Sequence, residues 1–183
     1  MSARPPIGWR PGDPRPDTAA MLRVDHAGEY GATRIYGGQL AVFGNTHPAS
    51  RPITQMAAQE AHHLSTFDRM LGERAVRPTA LQPFWHVAGH ALGAATALMG
   101  PKAAMACTAA VEDEIDAHYG SQLRALGDTD PPFSAAIEQF QAEELEHRDL
   151  ALAHGAQDAV GYPILYAAVR AGCRAAIYLS KRI

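Results

Sequence analysis

Two glutamates in this chain are followed at the same distance by the same short run. Glu29 precedes Tyr36-Gly37-Gly38-Gln39-Leu40, and Glu112 precedes Tyr119-Gly120-Ser121-Gln122-Leu123, with the tyrosine seven residues on in each case. Seven residues are about two helical turns, which returns to the same face. Two Glu-x-x-His motifs accompany them, Glu60-Ala61-His62-His63 and Glu144-Leu145-Glu146-His147. Spacing of three sets a carboxylate and an imidazole on one helix face, one turn apart. From the lone glutamate to its Glu-x-x-His is 31 residues in one half and 32 in the other. A single such motif arises by chance about half the time in a chain of this composition. Two in register, each after a glutamate in a shared context, mark an internal repeat.

The chemistry follows from the charges. Glu29 and Glu112 lie in apolar, glycine-rich surroundings that read as core. Four carboxylates in one core cannot stay ionised unpaired, since burying even one charge costs several kcal/mol. Two divalent cations balance them, and two imidazoles complete the ligand set without adding charge. One Glu from each of two helices and Glu-x-x-His from the other two is the ligand pattern of di-metal carboxylate bundles. Oxygen and nitrogen donors without thiolates suit iron or manganese better than structural zinc. Iron is expected, because oxygen chemistry needs a redox-active ion. The metal ligands expected are thus Glu29, Glu60, His63, Glu112, Glu144 and His147, with Glu60 and Glu144 bridging by the symmetry of the repeat. Glu143, Asp25 and Asp116 are candidates for orienting the ligands. His118 and Tyr119 share the face of Glu112 and are candidates for moving protons or electrons; a core tyrosine hydrogen-bonded near the site is the plainer reading of Tyr119.

These residues need helices to hold them. Asp17 or Thr18 caps a first helix running to Phe43, closed by Gly44 and Asn45. Gly28, Gly31, Gly37 and Gly38 fall inside it, each costing up to about 1 kcal/mol in propensity, which close helix approach is expected to offset. Ser50 and Pro52 open a second helix ending near Gly72. A very apolar third runs to about Met99, and Gly100-Pro101 breaks it from a fourth that ends at Leu126. Asp130-Pro131-Pro132 starts a fifth, to Gly155, and a sixth covers Pro163 to Ser180. No hairpin signal or alternating run marks a strand, so the chain is all-α.

With 183 residues and 47% apolar content, one domain with a sizeable core is expected. Net charge of −3 and pI near 6.3 give no nucleic-acid footprint. Cys107 and Cys173 have no metal-like spacing and read as reduced, packed thiols. Residues 1–16 hold five prolines and no apolar run. They read as a flexible leader, not a targeting peptide, leaving residues 17–183 as the folded domain.

At these residues the chain resembles the demethoxyubiquinone hydroxylase family, ferritin-like di-iron monooxygenases of ubiquinone biosynthesis. The resemblance spans nearly everything after the leader. RVDHAGEYGATRIYGGQ, EAHHLSTFD, ACTAAVEDEIDAHYGSQL, EELEHRDLALAHGA and the terminal AGCRAAIYLSKRI carry it. It implies a ferritin-like four-helix bundle with two additional apolar or amphipathic helices. It also implies two iron ions per chain, with dioxygen as co-substrate and a polyprenylated demethoxyquinol as the molecule hydroxylated. One oxygen atom goes to the ring and the other leaves as water, so two electrons are required. No dinucleotide or flavin fingerprint is present. NADH binding directly, a reductase partner or the quinol itself is then the donor.

A polyprenyl tail resides in lipid, so a peripheral enzyme on the cytoplasmic side of the cell membrane is expected. From Pro78 to Pro101 there is no Asp, Glu, Lys or Arg, although His86 and His90 fall within the stretch. Pro83, three glycines and the Gly100-Pro101 break leave about sixteen helical apolar residues, too few to span. An in-plane helix fits better, with Phe84 and Trp85 at the headgroups, and with Arg170, Arg174 and Lys181 of the last helix facing anionic lipid. An accessory lipid-binding protein of the pathway is a candidate partner; self-association is compatible, nucleic acid is not. The competing reading is an iron-storage ferritin or bacterioferritin, against which the uncharged third helix and the basic, apolar last helix stand. A rubrerythrin-type peroxidase would need a Cys-x-x-Cys pair, which is missing.

Overall fold

The computed structural model describes residues 15–183. Its helices are α1 (Thr18–Phe43), α2 (Ser50–Glu73), α3 (Gln82–Leu98), α4 (Pro101–Leu126), α5 (Pro131–Ala153) and α6 (Tyr162–Ser180). Among the described residues there is no strand. All but two residues of the proline-rich leader lie outside the described part.

The helix limits follow local chemistry. Asp17 accepts the Ala20 N–H at 2.9 Å and Asp130 the Phe133 N–H at 3.3 Å, satisfying amides that a first turn leaves orphaned. Gly44, Gly100, Gly127, Gly155 and Gly161 all take positive φ at helix boundaries. The fifth helix stops two residues short of Gly155. There the chain turns through a 3-10 segment, Ala156–Asp158, before α6.

α1 packs against α2 and α3, and α4 against α5 and α6. The four long helices enclose the core, and α3 and α6 lie on its flank. The core divides about the middle of the bundle. One cluster is built on Tyr36, Ile53, Met56 and Met105, the other on Leu22, Phe67, Tyr119, Phe133 and Phe140. Glu29 lies between Leu22 and Tyr36 along α1, so the polar site sits where the two clusters meet.

Close approach of α1 and α3 is real but rests on fewer glycines than the sequence suggested. A Cβ on Gly93 would lie 1.9 Å from the Ile35 carbonyl oxygen, and one on Gly38 2.1 Å from that of His90. Gly28 and Gly31 would meet nothing within 4 Å; Gly28 is exposed. Their helix cost is not recovered by contact of that kind.

No helix of the described residues is long and apolar enough to cross a membrane. Large apolar side chains nonetheless gather on the flanking helices: Phe84, Val87, Leu98 and Met99 on and after α3, and Ile164, Tyr178 and Leu179 on α6. The two helices meet where Trp85 Nε1 donates to Ser180 Oγ at 3.0 Å and the Ala80 N–H to the Ile183 carbonyl at 3.1 Å. Trp85 is thereby tied to α6, whereas Phe84 is exposed. The arginines of α6 also have a partner inside the protein. Arg170 and Arg174 both donate to the buried Glu114 carboxylate of α4, at 2.7–2.9 Å, so they clamp two helices together. Cys107 and Cys173 are free thiols, which burial pushes up to about 12; at neutral pH they are protonated and inert.

Candidate metal centre

α1 supplies Glu29, α2 Glu60 and His63, α4 Glu112, and α5 Glu144 and His147; all six are at most 2% exposed. They fall into two groups of four. Glu29, Glu60, His63 and Glu144 form one, and Glu60, Glu112, Glu144 and His147 the other, each with donor atoms within 4.8 Å of one another. Glu60 and Glu144 belong to both. His63 Nδ1 lies 3.4 Å from Glu29 and 3.2 Å from Glu144, and His147 Nδ1 3.1 Å from both Glu60 and Glu144.

The donor set fits cations. Glu29 Oε2, both Glu60 oxygens, Glu112 Oε2, Glu144 Oε1 and His63 Nδ1 are buried without a hydrogen-bond partner. So many converging orphans would be costly in a protein without a positive ion to receive their lone pairs. The protein groups alone illustrate the strain. Burial, followed by the Glu144 charge, holds the carboxyls of Glu60 and Glu112 well above the usual range. Burial alone would raise Glu144 too, but the His147 hydrogen bond and the His63 imidazole 3.2 Å away outweigh it and bring it to about 2. For His63, burial pulls the imidazole down, while Glu144 and Glu29 more than compensate and lift it to about 10. Metal ions bound here would replace those shared protons as counter-charge.

Around the six, the two halves exchange support. Tyr36, seven residues after Glu29, donates to Glu112 at 2.7 Å, and Tyr119, seven after Glu112, donates to Glu29. Tyr119 therefore shares a helix face with Glu112 but serves the glutamate of the other half. Burial, then the facing glutamate, raises both phenols well above 10, so they remain donors. His63 Nε2 donates to Glu143 at 2.7 Å, the contact expected of that acid, and His147 Nε2 to Gln59 at 2.9 Å. His118 does not touch the six. Its Nε2 lies 3.2 Å from Asp25, which also accepts Gln122 Nε2 at 2.8 Å. Asp116 pairs with Gln141 at 2.7 Å and orients no histidine of the site. Sequence reasoning passed over Tyr36 and Gln59. The repeat itself could have found both: Tyr36 matches Tyr119, and Gln59, like Glu143, immediately precedes a shared glutamate.

A profile of the family described as "Ubiquinone biosynthesis protein COQ7" matches residues 16–180. The chain belongs to this family. Its relatives are similar over most of their length. A 3-demethoxyubiquinol 3-hydroxylase of Rhodospirillum rubrum is 53% identical over 175 residues, covering 94% of this chain and 82% of the relative. The human NADPH-dependent 3-demethoxyubiquinone 3-hydroxylase, a mitochondrial protein, is 50% identical over 167 residues, 89% of this chain and 76% of its own. The mitochondrial 5-demethoxyubiquinone hydroxylase of Saccharomyces cerevisiae is 40% identical over 179 residues, covering 89% and 77%. Family membership thus coincides with two buried, overlapping groups of glutamate and histidine that could hold metal, inside an all-α bundle.

Proposed function

We propose that this protein is a 3-demethoxyubiquinol 3-hydroxylase that holds two iron ions on Glu29, Glu60, His63, Glu112, Glu144 and His147. The observation that carries the reading is the pair of four-residue groups sharing Glu60 and Glu144. Carboxylates common to both groups would hold two ions together, and four carboxylates would neutralise the charge of two divalent cations. Bound iron would supply the activation of dioxygen that ring hydroxylation requires.

The chain's own groups do the rest. Tyr36 and Tyr119 fix the terminal glutamates, Glu112 and Glu29, by hydrogen bonds that leave their second oxygens free. Glu143 and Gln59 hold the histidines with Nδ1 turned inward. Aromatic and aliphatic packing from Phe67, Phe133 and Phe140 keeps water from one side. His118, 19% exposed on its side chain, and the buried Asp25 form a polar link between solvent and the Glu29 end. Burial raises the Asp25 carboxyl, so it can hold a proton. Protons enter by this pair, with Tyr119 relaying at Glu29.

The other substrate is a polyprenylated quinol, reached from a membrane surface on the cytoplasmic side. The exposed apolar residues of α3 and α6 support this, since Phe84, Val87, Leu98 and Ile164 are free to enter lipid. Two electrons come from a nicotinamide, in line with the NADPH dependence named for the human relative. An accessory lipid-binding protein would present the quinol. Apolar outer helices and hydroxylase relatives favour this over a storage cage.

The test loads apoprotein with ferrous iron without air, then adds a short-chain demethoxyquinol and isotopically labelled dioxygen. Two irons per chain and one labelled oxygen on the ring are expected. Ferric iron accumulating with no ring product would overturn the proposal.

A further inference from the structure

The two halves place their ligands alike but support their histidines unequally. Glu143 and Gln59 occupy the same place in the repeat, one residue before Glu144 and Glu60. Each reaches across the bundle to the histidine of the other half, Glu143 to His63 at 2.7 Å and Gln59 to His147 at 2.9 Å. The geometry is matched; the chemistry differs by a charge. A carboxylate can only accept, so Nε2 of His63 keeps its proton, and a metal ion bound between Glu29 and Glu144 would take the lone pair of Nδ1. A full negative charge on the N–H makes the imidazole a stronger donor at its other nitrogen than an amide dipole does. Glu143 is itself held in place by Gln139 Nε2 at 2.9 Å.

Other departures from the repeat lie along the same axis. Four residues before Glu29 stands Asp25, and six after Glu112 stands His118, which pair beside the His63 end. The matching positions in the other half are Thr108 and Ile35. They line a small apolar hollow with Ala32, Tyr36 and Val111, next to Glu112. One end of the site is polar and charged, the other apolar, with the Thr108 hydroxyl unpartnered.

We propose that the two ions are held unequally, the tighter one by Glu29 and His63 between the shared glutamates, with Glu143 as the positioning residue that sets the difference. This rests on reading the two groups as a di-metal centre. The ion beside Glu112 and His147 binds second and leaves first.

Cobalt(II) added to full-length apoprotein tests it, because the ion takes the same donors without being oxidised in air. Stepwise Kd values come from calorimetry, and the order of filling from histidine side-chain resonances at one equivalent. His63 should respond first. Glu143→Gln should weaken the first step by about 10–100-fold, the usual effect of losing such a partner. Glu146→Gln, which removes an exposed charge from the same helix, should leave the order intact. The decisive variant is the exchange Gln59→Glu with Glu143→Gln, which conserves net charge and should make His147 respond first. Simultaneous response of both histidines, or an order unchanged by the exchange, overturns the inference while two bound ions preserve the di-metal reading. Uptake of no cobalt at all removes that reading and the inference together.

Discussion

Glu112 belongs to one of the two four-residue groups and not the other, so on the di-metal reading a single change should separate the two ions. Glu112→Gln keeps the side chain's shape and an oxygen to accept Tyr36, 2.7 Å away, and removes the charge. Without metal the variant should melt no lower than the parent, because burial already holds the Glu112 carboxyl well above its usual range. With metal the two should diverge. Free ion at about 100 times the Kd of the weaker site, the one that includes Glu112, stabilises that site by about 2.7 kcal/mol, which the variant forfeits. At about 2–4 °C per kcal/mol for a chain of this size, cobalt(II) should raise Tm by about 5–11 °C less in the variant than in the parent. Calorimetry of metal-free and loaded samples, with elemental analysis, reads both quantities. The expected count falls from two ions to one. An equal thermal shift with two ions bound to the variant would refute the assignment of Glu112 as a ligand.

Metal-free protein should lose stability as pH rises. The charge on His63 stabilises fully below about 6.5 and fades as pH climbs toward about 10, and Glu60 and Glu112, raised by burial, add to the loss as they ionise. Glu144, held at about 2, contributes above about 4.5 and loses its contribution in acid. Melting curves without metal should therefore peak between these limits and decline toward pH 10, a decline that bound cobalt removes; a metal-free Tm still rising at pH 9 would contradict this. Gly93→Ala should cost about 1–3 kcal/mol in denaturant unfolding, because its Cβ meets the Ile35 backbone at 1.9 Å. Gly28→Ala, facing open space, should instead gain up to about 1 kcal/mol, and a loss there would show an unrecognised contact. Val87→Asp and Ile164→Asp, at exposed apolar positions of α3 and α6, should weaken sedimentation with lipid vesicles by at least about tenfold each, from about 1.5–3 kcal/mol of lost burial. Unaltered vesicle binding with intact helicity would place the membrane face elsewhere.

The convergence of the six glutamates and histidines, and the helices that carry them, were legible because donor spacing and helix geometry both constrain sequence locally. A Glu-x-x-His fixes two donors on one face whatever surrounds it, and Asp17, Gly100-Pro101 and Asp130 punctuate the helices by capping and by ring constraint. What a side chain meets on a neighbouring helix is not a local property. The seven-residue spacing put Tyr119 on the face of Glu112, yet at that height in the bundle the neighbour is Glu29 of α1. Arg170 and the exposed Arg174 read as lipid-facing charges, and nothing in the sequence showed that Glu114 of α4 sets a buried carboxylate opposite both. Gly28 and Gly38 look equivalent in sequence, and differ because α3 crosses α1 at one and not the other. The repeat offers a way past this limit. Where two halves share a scaffold, a contact seen or inferred in one predicts its partner in the other, as Tyr119 predicts Tyr36. Positions that break the match, Gln59 against Glu143 and Thr108 against Asp25, are then where the two halves have been given different work.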